Sequence, residues 1–204
     1  MTKVKICGLM ESQHVKTAVD AGVDAIGFVF APSRRQVTIA KAQELAKNIP
    51  PGVLKIGVFV DASQDDIEQT FREVPLDFVQ FHGDESSDFI EKVGLPSIKV
   101  LSVYSDEDAK RFAHYETDYF LFDTPGTDFK GGSGKTFDWQ LMKDAGVQSD
   151  KVILAGGLNA DNVAQAIRTV QPYMVDVSSG VEVMRRKDDK LIRAFIKAVK
   201  DEER

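Results

Sequence analysis

The sequence holds a single cysteine, Cys7, so no disulfide can form within the chain. A lone thiol suits a reducing compartment, where it serves either as an inert buried side chain or as a reactive one. Long apolar runs are absent as well. No stretch approaches the ~20 residues of a membrane span. The opening MTKVKICGLM lacks the apolar core of a secretory signal. The expected location is therefore the cytoplasm, with no membrane partner. Basic charge is in deficit: 26 Lys and Arg stand against 32 Asp and Glu, a formal net charge of −6. That argues against a general affinity for nucleic acid, which needs a basic surface. The histidines, His14, His82 and His114, are scattered and share no metal-ligand spacing. Neither a metal nor a cofactor is expected. No linker or low-complexity segment divides the 204 residues, which are expected to form one domain, residues 1–204.

What the chain does have is a repeat of short, β-branched apolar runs. They read as strands at Val4–Cys7, Ala25–Phe30, Lys55–Val60, Phe78–His82, Ser97–Val103, Tyr119–Asp123, Lys151–Gly156 and Met174–Ser178. Amphipathic stretches lie between them, among them Glu11–Ala21, Ala40–Asn48, Gln64–Glu73, Asp106–His114, Asn162–Val170 and Asp188–Lys200. Residue types that cap helices precede several: Asp61 and Ser63, Asp106, and Asn159 with Asp161. Strand then helix, eight times over, predicts right-handed βαβ units closed into an α/β (β/α)8 TIM barrel. The alternative, an open doubly wound sheet, wants a glycine fingerprint after its first strand. CGLMES at 7–12 is not one.

Strands of such a barrel are buried on both faces, so polar residues in them are informative. Lys5 shares a face with Cys7, Gln80 with His82, and Asp176 with Ser178; Lys99 and Asp123 stand in strands five and six. If all point inward, the upper end of the barrel is a charged chamber, at the end where this fold carries its active sites. The competing reading is an internal salt-bridge network. Glycines follow the last two strands, in AGGLN at 155–159 and SSGV at 178–181. Backbone N–H groups at such loops bind phosphate, and the pair together predicts a phosphate site rather than plain turns.

FKGGSGKTFDW at 129–139 has the look of a nucleotide-binding loop, but the glycine that a Walker A motif needs five residues before Gly134 is Phe129. The segment also begins well past the strand end at Asp123. It reads instead as a glycine-rich lid, with Lys135 reaching the substrate, or as a structural loop whose Asp138 caps the next helix.

Taken together, KICGL at 5–9, GFVFAPSRRQV at 27–37, VQFHGDE at 79–85, FDTPGTDFKGGSGKTFDW at 122–139, LAGGLNADNV at 154–163 and VDVSSGVE at 175–182 resemble the phosphoribosylanthranilate isomerase family. The matches run in order along nearly the whole chain. The resemblance implies an Amadori rearrangement of N-(5′-phosphoribosyl)anthranilate in tryptophan biosynthesis, without cofactor, by a monomer or homodimer. It implies Cys7 as general base and Asp123 as general acid. An arginine after the second strand then binds the anthranilate carboxylate; Arg35 is the better alignment, with Arg34 as the alternative. The rest of the expected substrate site is Gln80, His82, Gly132, Gly156, Gly157, Asp176, Ser178, Ser179 and Gly180. Two competing enzymes share the fold. A histidine-pathway isomerase would use paired aspartates, one of them where Cys7 stands. Indoleglycerol-phosphate synthase would want a longer N-terminal extension and a lysine acid. A non-catalytic phosphometabolite-binding barrel predicts loss of catalytic positions, yet Cys7, Asp123 and both glycine loops are present.

Overall fold

The computed structural model describes residues 1–102, 107, 111–123 and 146–202. Eight parallel strands pair in chain order: β1 Lys3–Cys7, β2 Ala25–Val29, β3 Leu54–Phe59, β4 Phe78–Phe81, β5 Ser97–Ser102, β6 Tyr119–Asp123, β7 Val152–Ala155 and β8 Met174–Val177. β8 pairs back onto β1, so the sheet closes into a barrel and the open-sheet alternative falls. The runs read from sequence overshoot these strands by one residue at Phe30, Val60, His82, Gly156 and Ser178. At each the chain begins a loop, although Phe30 N and His82 N still donate to Val58 O and Phe59 O of β3.

Helices α1 Ser12–Ala21, α2 Ile39–Ala46, α3 Gln64–Glu73, α4 Ser87–Val93, α5 Val163–Val170 and α6 Asp189–Asp201 flank the barrel. The starts of α2, α3, α4 and α6 are fixed by side-chain caps, which satisfy N–H groups that no helical carbonyl reaches. Thr38 accepts from Lys41 N, Ser63 from Asp66 N and Ser86 from Phe89 N, while Asp188 accepts from both Lys190 N and Leu191 N. Asp61 does not cap α3; its carboxylate accepts from Asp84 N in the next loop instead. α5 begins after Asn162, one residue later than its cap signals suggested, but Asn159 Oδ1 still accepts from the N–H groups of Asp161 and Asn162. Of the helix expected at Asp106–His114, the segment Arg111–His114 is a 3-10 turn; Asp106 lies outside the described residues.

Packing follows the two periodicities. In α6, Ile192, Phe195, Ile196 and Val199 fall on one buried stripe. Full burial of each contributes roughly 1.5–3 kcal/mol. Outward-facing strand residues such as Ile6, Ile26, Phe28 and Phe122 meet the helices. Inside the barrel, Ala25, Ile56, Ile98, Val100, Leu121, Ile153 and Met174 form a separate apolar cluster. That cluster settles where Lys99 points. Its neighbours Ile98 and Val100 fill the barrel, so Lys99 faces outward. There its ammonium meets Glu85 Oε2 at 2.8 Å and Gly83 O at 2.7 Å. Lys99 is therefore not part of the inner chamber expected from the sequence. With apolar residues on both faces of β5, alternation alone could not say which face the lysine takes.

Candidate active site

Above the apolar cluster the barrel interior turns polar. Cys7 ends β1, and Lys5 lies beneath it on the same face. In the ladder Lys5 stands opposite Asp176 of β8, and Cys7 opposite Gly27 of β2. Gly27 is a requirement of space: a Cβ there would sit 2.9 Å from Cys7 Sγ and 3.3 Å from Lys5 Cε. The Lys5 ammonium is fully buried and bonds Asp176 Oδ2 at 2.8 Å. Burial alone would lower its pKa, but Asp176 and Cys7 reverse this and hold it above the ordinary lysine value. For Cys7 burial prevails: it pushes the thiol up, against the pull of Lys5 and Lys187 toward thiolate.

On β6, Asp123 ends the strand. Burial raises its carboxyl pKa and favours the neutral acid, against the opposing influence of His82. His82 Nε2 lies 3.9 Å from Asp123 Oδ2, too far for a hydrogen bond. Burial lowers the His82 pKa, so the imidazole is neutral near pH 7. Gln80 Nε2 lies 3.5 Å from its Nδ1. Two buried acceptors at the site, Gln80 Oε1 and Asp176 Oδ1, have no partner among the described residues. Such orphans are costly unless something else supplies a donor.

Cys7, Gln80, His82, Asp123 and Asp176 line one cavity of about 810 Å³, with Lys5 buried beneath it. Cys7, Arg35, Gln80, His82, Asp123, Gly156, Gly157, Asp176, Ser178, Ser179 and Gly180 border it, and Val29, Val58, Val60 and Leu121 add an apolar wall. The remaining expected residue, Gly132, lies outside the described residues, as do Asp128, Lys135 and Asp138. Arg35 borders the cavity and Arg34 does not. The loop after β7 is braced: Asn162 Nδ2 donates to Gly157 O, and Asn162 Oδ1 accepts from Asn159 N.

Two residues at the rim escaped the sequence reading. After β8 the chain makes a small antiparallel hairpin, β9 Glu182–Val183 and β10 Arg186–Lys187. Glu182 accepts from Arg35, and Lys187 Nζ donates to Ser178 O at 2.8 Å and Ser178 Oγ at 3.2 Å. Ser178 Oγ in turn donates to Cys7 O. Met184 and Arg185 form the turn with φ of 49° and 65°. Hairpin turns of that kind are normally marked by Asn-Gly, so nothing in MRRK announced one.

Comparison with known proteins converges on one family. The family model described as N-(5′-phosphoribosyl)anthranilate (PRA) isomerase matches residues 4–198. The N-(5′-phosphoribosyl)anthranilate isomerase of Bacillus cereus is 49% identical over 199 residues, covering 97% of this chain and 98% of its own. That of Listeria innocua is 47% identical, with 97% of both chains covered. The phosphoribosyl anthranilate isomerase of Thermotoga maritima superposes with a TM-score of 0.87 at 37% identity, over 98% of this chain and 100% of that one. A further solved isomerase, in complex with reduced 1-(o-carboxyphenylamino)-1-deoxyribulose 5-phosphate, gives a TM-score of 0.85 at 34% identity, with the same coverage. No described helix is long and apolar enough to cross a membrane. The chain belongs to the N-(5′-phosphoribosyl)anthranilate isomerase family of enzymes.

Proposed function

We propose that this chain, acting as one catalytic domain, converts N-(5′-phosphoribosyl)anthranilate to 1-(2-carboxyphenylamino)-1-deoxyribulose 5-phosphate in tryptophan biosynthesis. The observation that carries this reading is the order of groups around the barrel. The two glycine loops follow β7 and β8, Cys7 ends β1 between them and β2, and Arg35 follows β2. A substrate with phosphate at one end and an aryl carboxylate at the other therefore lays its sugar across Cys7. Backbone N–H groups of the 156–157 and 179–180 segments take the phosphate. The Arg35 guanidinium takes the carboxylate, and Val29, Val58 and Val60 face the aromatic ring. The orphan oxygens of Gln80 and Asp176 accept the sugar hydroxyls.

Chemistry then needs one acid and one base. Asp123, held toward its neutral form, protonates the ring oxygen, and the furanose opens to a Schiff base. The iminium acidifies the C2′ proton, which the Cys7 thiolate removes. The resulting enolamine tautomerises to the ketone. Each step moves only protons and electron pairs of the substrate, so no cofactor is called for.

Mixing purified protein with phosphoribosylanthranilate should decrease the anthranilate fluorescence. Cys7→Ser should lower kcat by ~10²–10⁴-fold and Asp123→Asn by at least ~10²-fold, with KM little changed. Sulfate should compete with the substrate. Absence of turnover by the wild type would refute the activity. Turnover that survives both substitutions would refute the roles while leaving the activity standing.

A further inference from the structure

Glu182 is an unusual carboxylate for a surface hairpin. Its side chain is only 5% exposed, and three cations converge on it. Arg35 grips it through Nε at 2.7 Å and Nη2 at 3.1 Å. Arg34 Nη2 reaches the same carboxylate at 2.7 Å, and Lys187 Nζ at 3.0 Å. The stem of Arg35 is pinned as well. It lies over Gly8, whose φ is +75° and where a Cβ would come 2.6 Å from Arg35 Cδ. Guanidinium is planar and carries two usable edges. Glu182 occupies the Nε/Nη2 edge. Nη1 has no protein acceptor among the described residues, and Arg35 borders the cavity.

We propose that Glu182 is the positioning residue for Arg35, aiming its second edge into the cavity and so making the site selective for a substrate that carries an aryl carboxylate. The inference rests on the carboxylate role given to Arg35 above. Two physical effects support it. A long, flexible side chain that is already immobilised loses less entropy when it binds a ligand. And three cations around one carboxylate leave a formal excess of positive charge at the rim of a chain whose net charge is −6. Glu182 therefore orders the guanidinium without cancelling its attraction for an anion. Its β-ladder partner Lys187 ties the same carboxylate to Ser178, and through Ser178 to the backbone of Cys7. The carboxylate-binding arginine and the base are thus held to one hairpin.

The sign of the effect separates this role from its rivals. Glu182→Gln makes the rim more positive, so electrostatics alone would tighten an anionic ligand. Loss of positioning would loosen it. The experiment measures equilibrium binding of reduced 1-(o-carboxyphenylamino)-1-deoxyribulose 5-phosphate and of its analogue without the carboxyl group. The proteins are wild type, Glu182→Gln, Glu182→Asp and Arg35→Ala. Glu182→Asp keeps the charge but is a methylene too short to grip the fork, and it serves should the Gln variant fail to fold. Expected is a loss of about tenfold for the carboxylated ligand in both Glu182 variants, with the other ligand changed less than twofold. Equal losses for the two ligands, or tighter binding of the carboxylated one, would overturn the proposal. Arg35→Ala separates the two layers. If it too leaves the preference for the carboxylated ligand intact, the carboxylate role of Arg35 fails. If it abolishes that preference while the Glu182 variants keep it, only the positioning role fails.

Discussion

Cys7 and Asp123 have pKa values displaced in the same direction, upward, and for the same reason, burial. The proposed reaction needs the opposite protonation of each from what neutral pH favours: a thiolate and a carboxylic acid. Only a minor fraction of the enzyme is then in the active form. The sign of the pH dependence follows. Below the Asp123 pKa, the thiolate fraction keeps falling while the acid is already full. Above the Cys7 pKa, the acid fraction keeps falling while the thiolate is already full. Between them the product of the two fractions is flat. A plot of kcat/KM against pH, which reports the free enzyme, should show a plateau with its acid limb above the ordinary aspartate value and its basic limb above the ordinary thiol value. An acid limb at or below the ordinary aspartate value would mean that Asp123 is not the acid, or that substrate reverses its burial. Cys7 is the one cysteine, so its alkylation rate reads the basic limb independently.

At the scale of elements, the strands and most helices were legible because each depends on a short-range pattern. β-branched runs end in small or polar residues, and helices begin with Ser, Thr or Asp at a cap. Residues pointing into the barrel were legible where a polar side chain broke an apolar strand: Gln80 and Asp176 line the cavity, and Lys5 lies beneath it. Lys99 shows the limit of that signal. It breaks a strand too, but partners Glu85 on the helix side, and only tertiary packing decides between the faces. The hairpin after β8 was illegible for a different reason. Its turn residues, Met184 and Arg185, hold positive φ without the glycine or asparagine that makes such a turn readable. Left-handed backbone costs an ordinary L residue about 1–2 kcal/mol. Replacing Met184-Arg185 by Asn-Gly should therefore raise stability by about 1 kcal/mol, measured as a higher Tm or urea midpoint. An unchanged midpoint would show that the turn stores no strain. Met184 is 93% exposed, so the swap removes little packing.

The whole molecule is closed by the meeting of its first and last barrel strands. At that seam the buried Lys5–Asp176 pair joins β1 to β8, and α6 reinforces it from outside, with Lys200 Nζ donating to Ala21 O at the end of α1. Removing one member of a buried pair strands the other, typically at about 3–5 kcal/mol. Lys5→Met should cost that much in urea unfolding, and adding Asp176→Asn should restore part of the loss. Strictly additive losses would show that the two charges are not coupled.

The same seam imposes a timetable on the thiol. Lys5 and Asp176 are 171 residues apart, and Ser178 and Lys187, which steady the Cys7 backbone, come later still. A ribosome adding ~5–20 residues each second needs on the order of ten to thirty seconds to cover that interval. For that period a newly made chain carries Cys7 with no barrel around it, a solvated thiol open to oxidants and electrophiles. Burial in the finished barrel thus protects the sulfur as well as raising its pKa, and the nascent chain is when the residue assigned as the base is most easily lost.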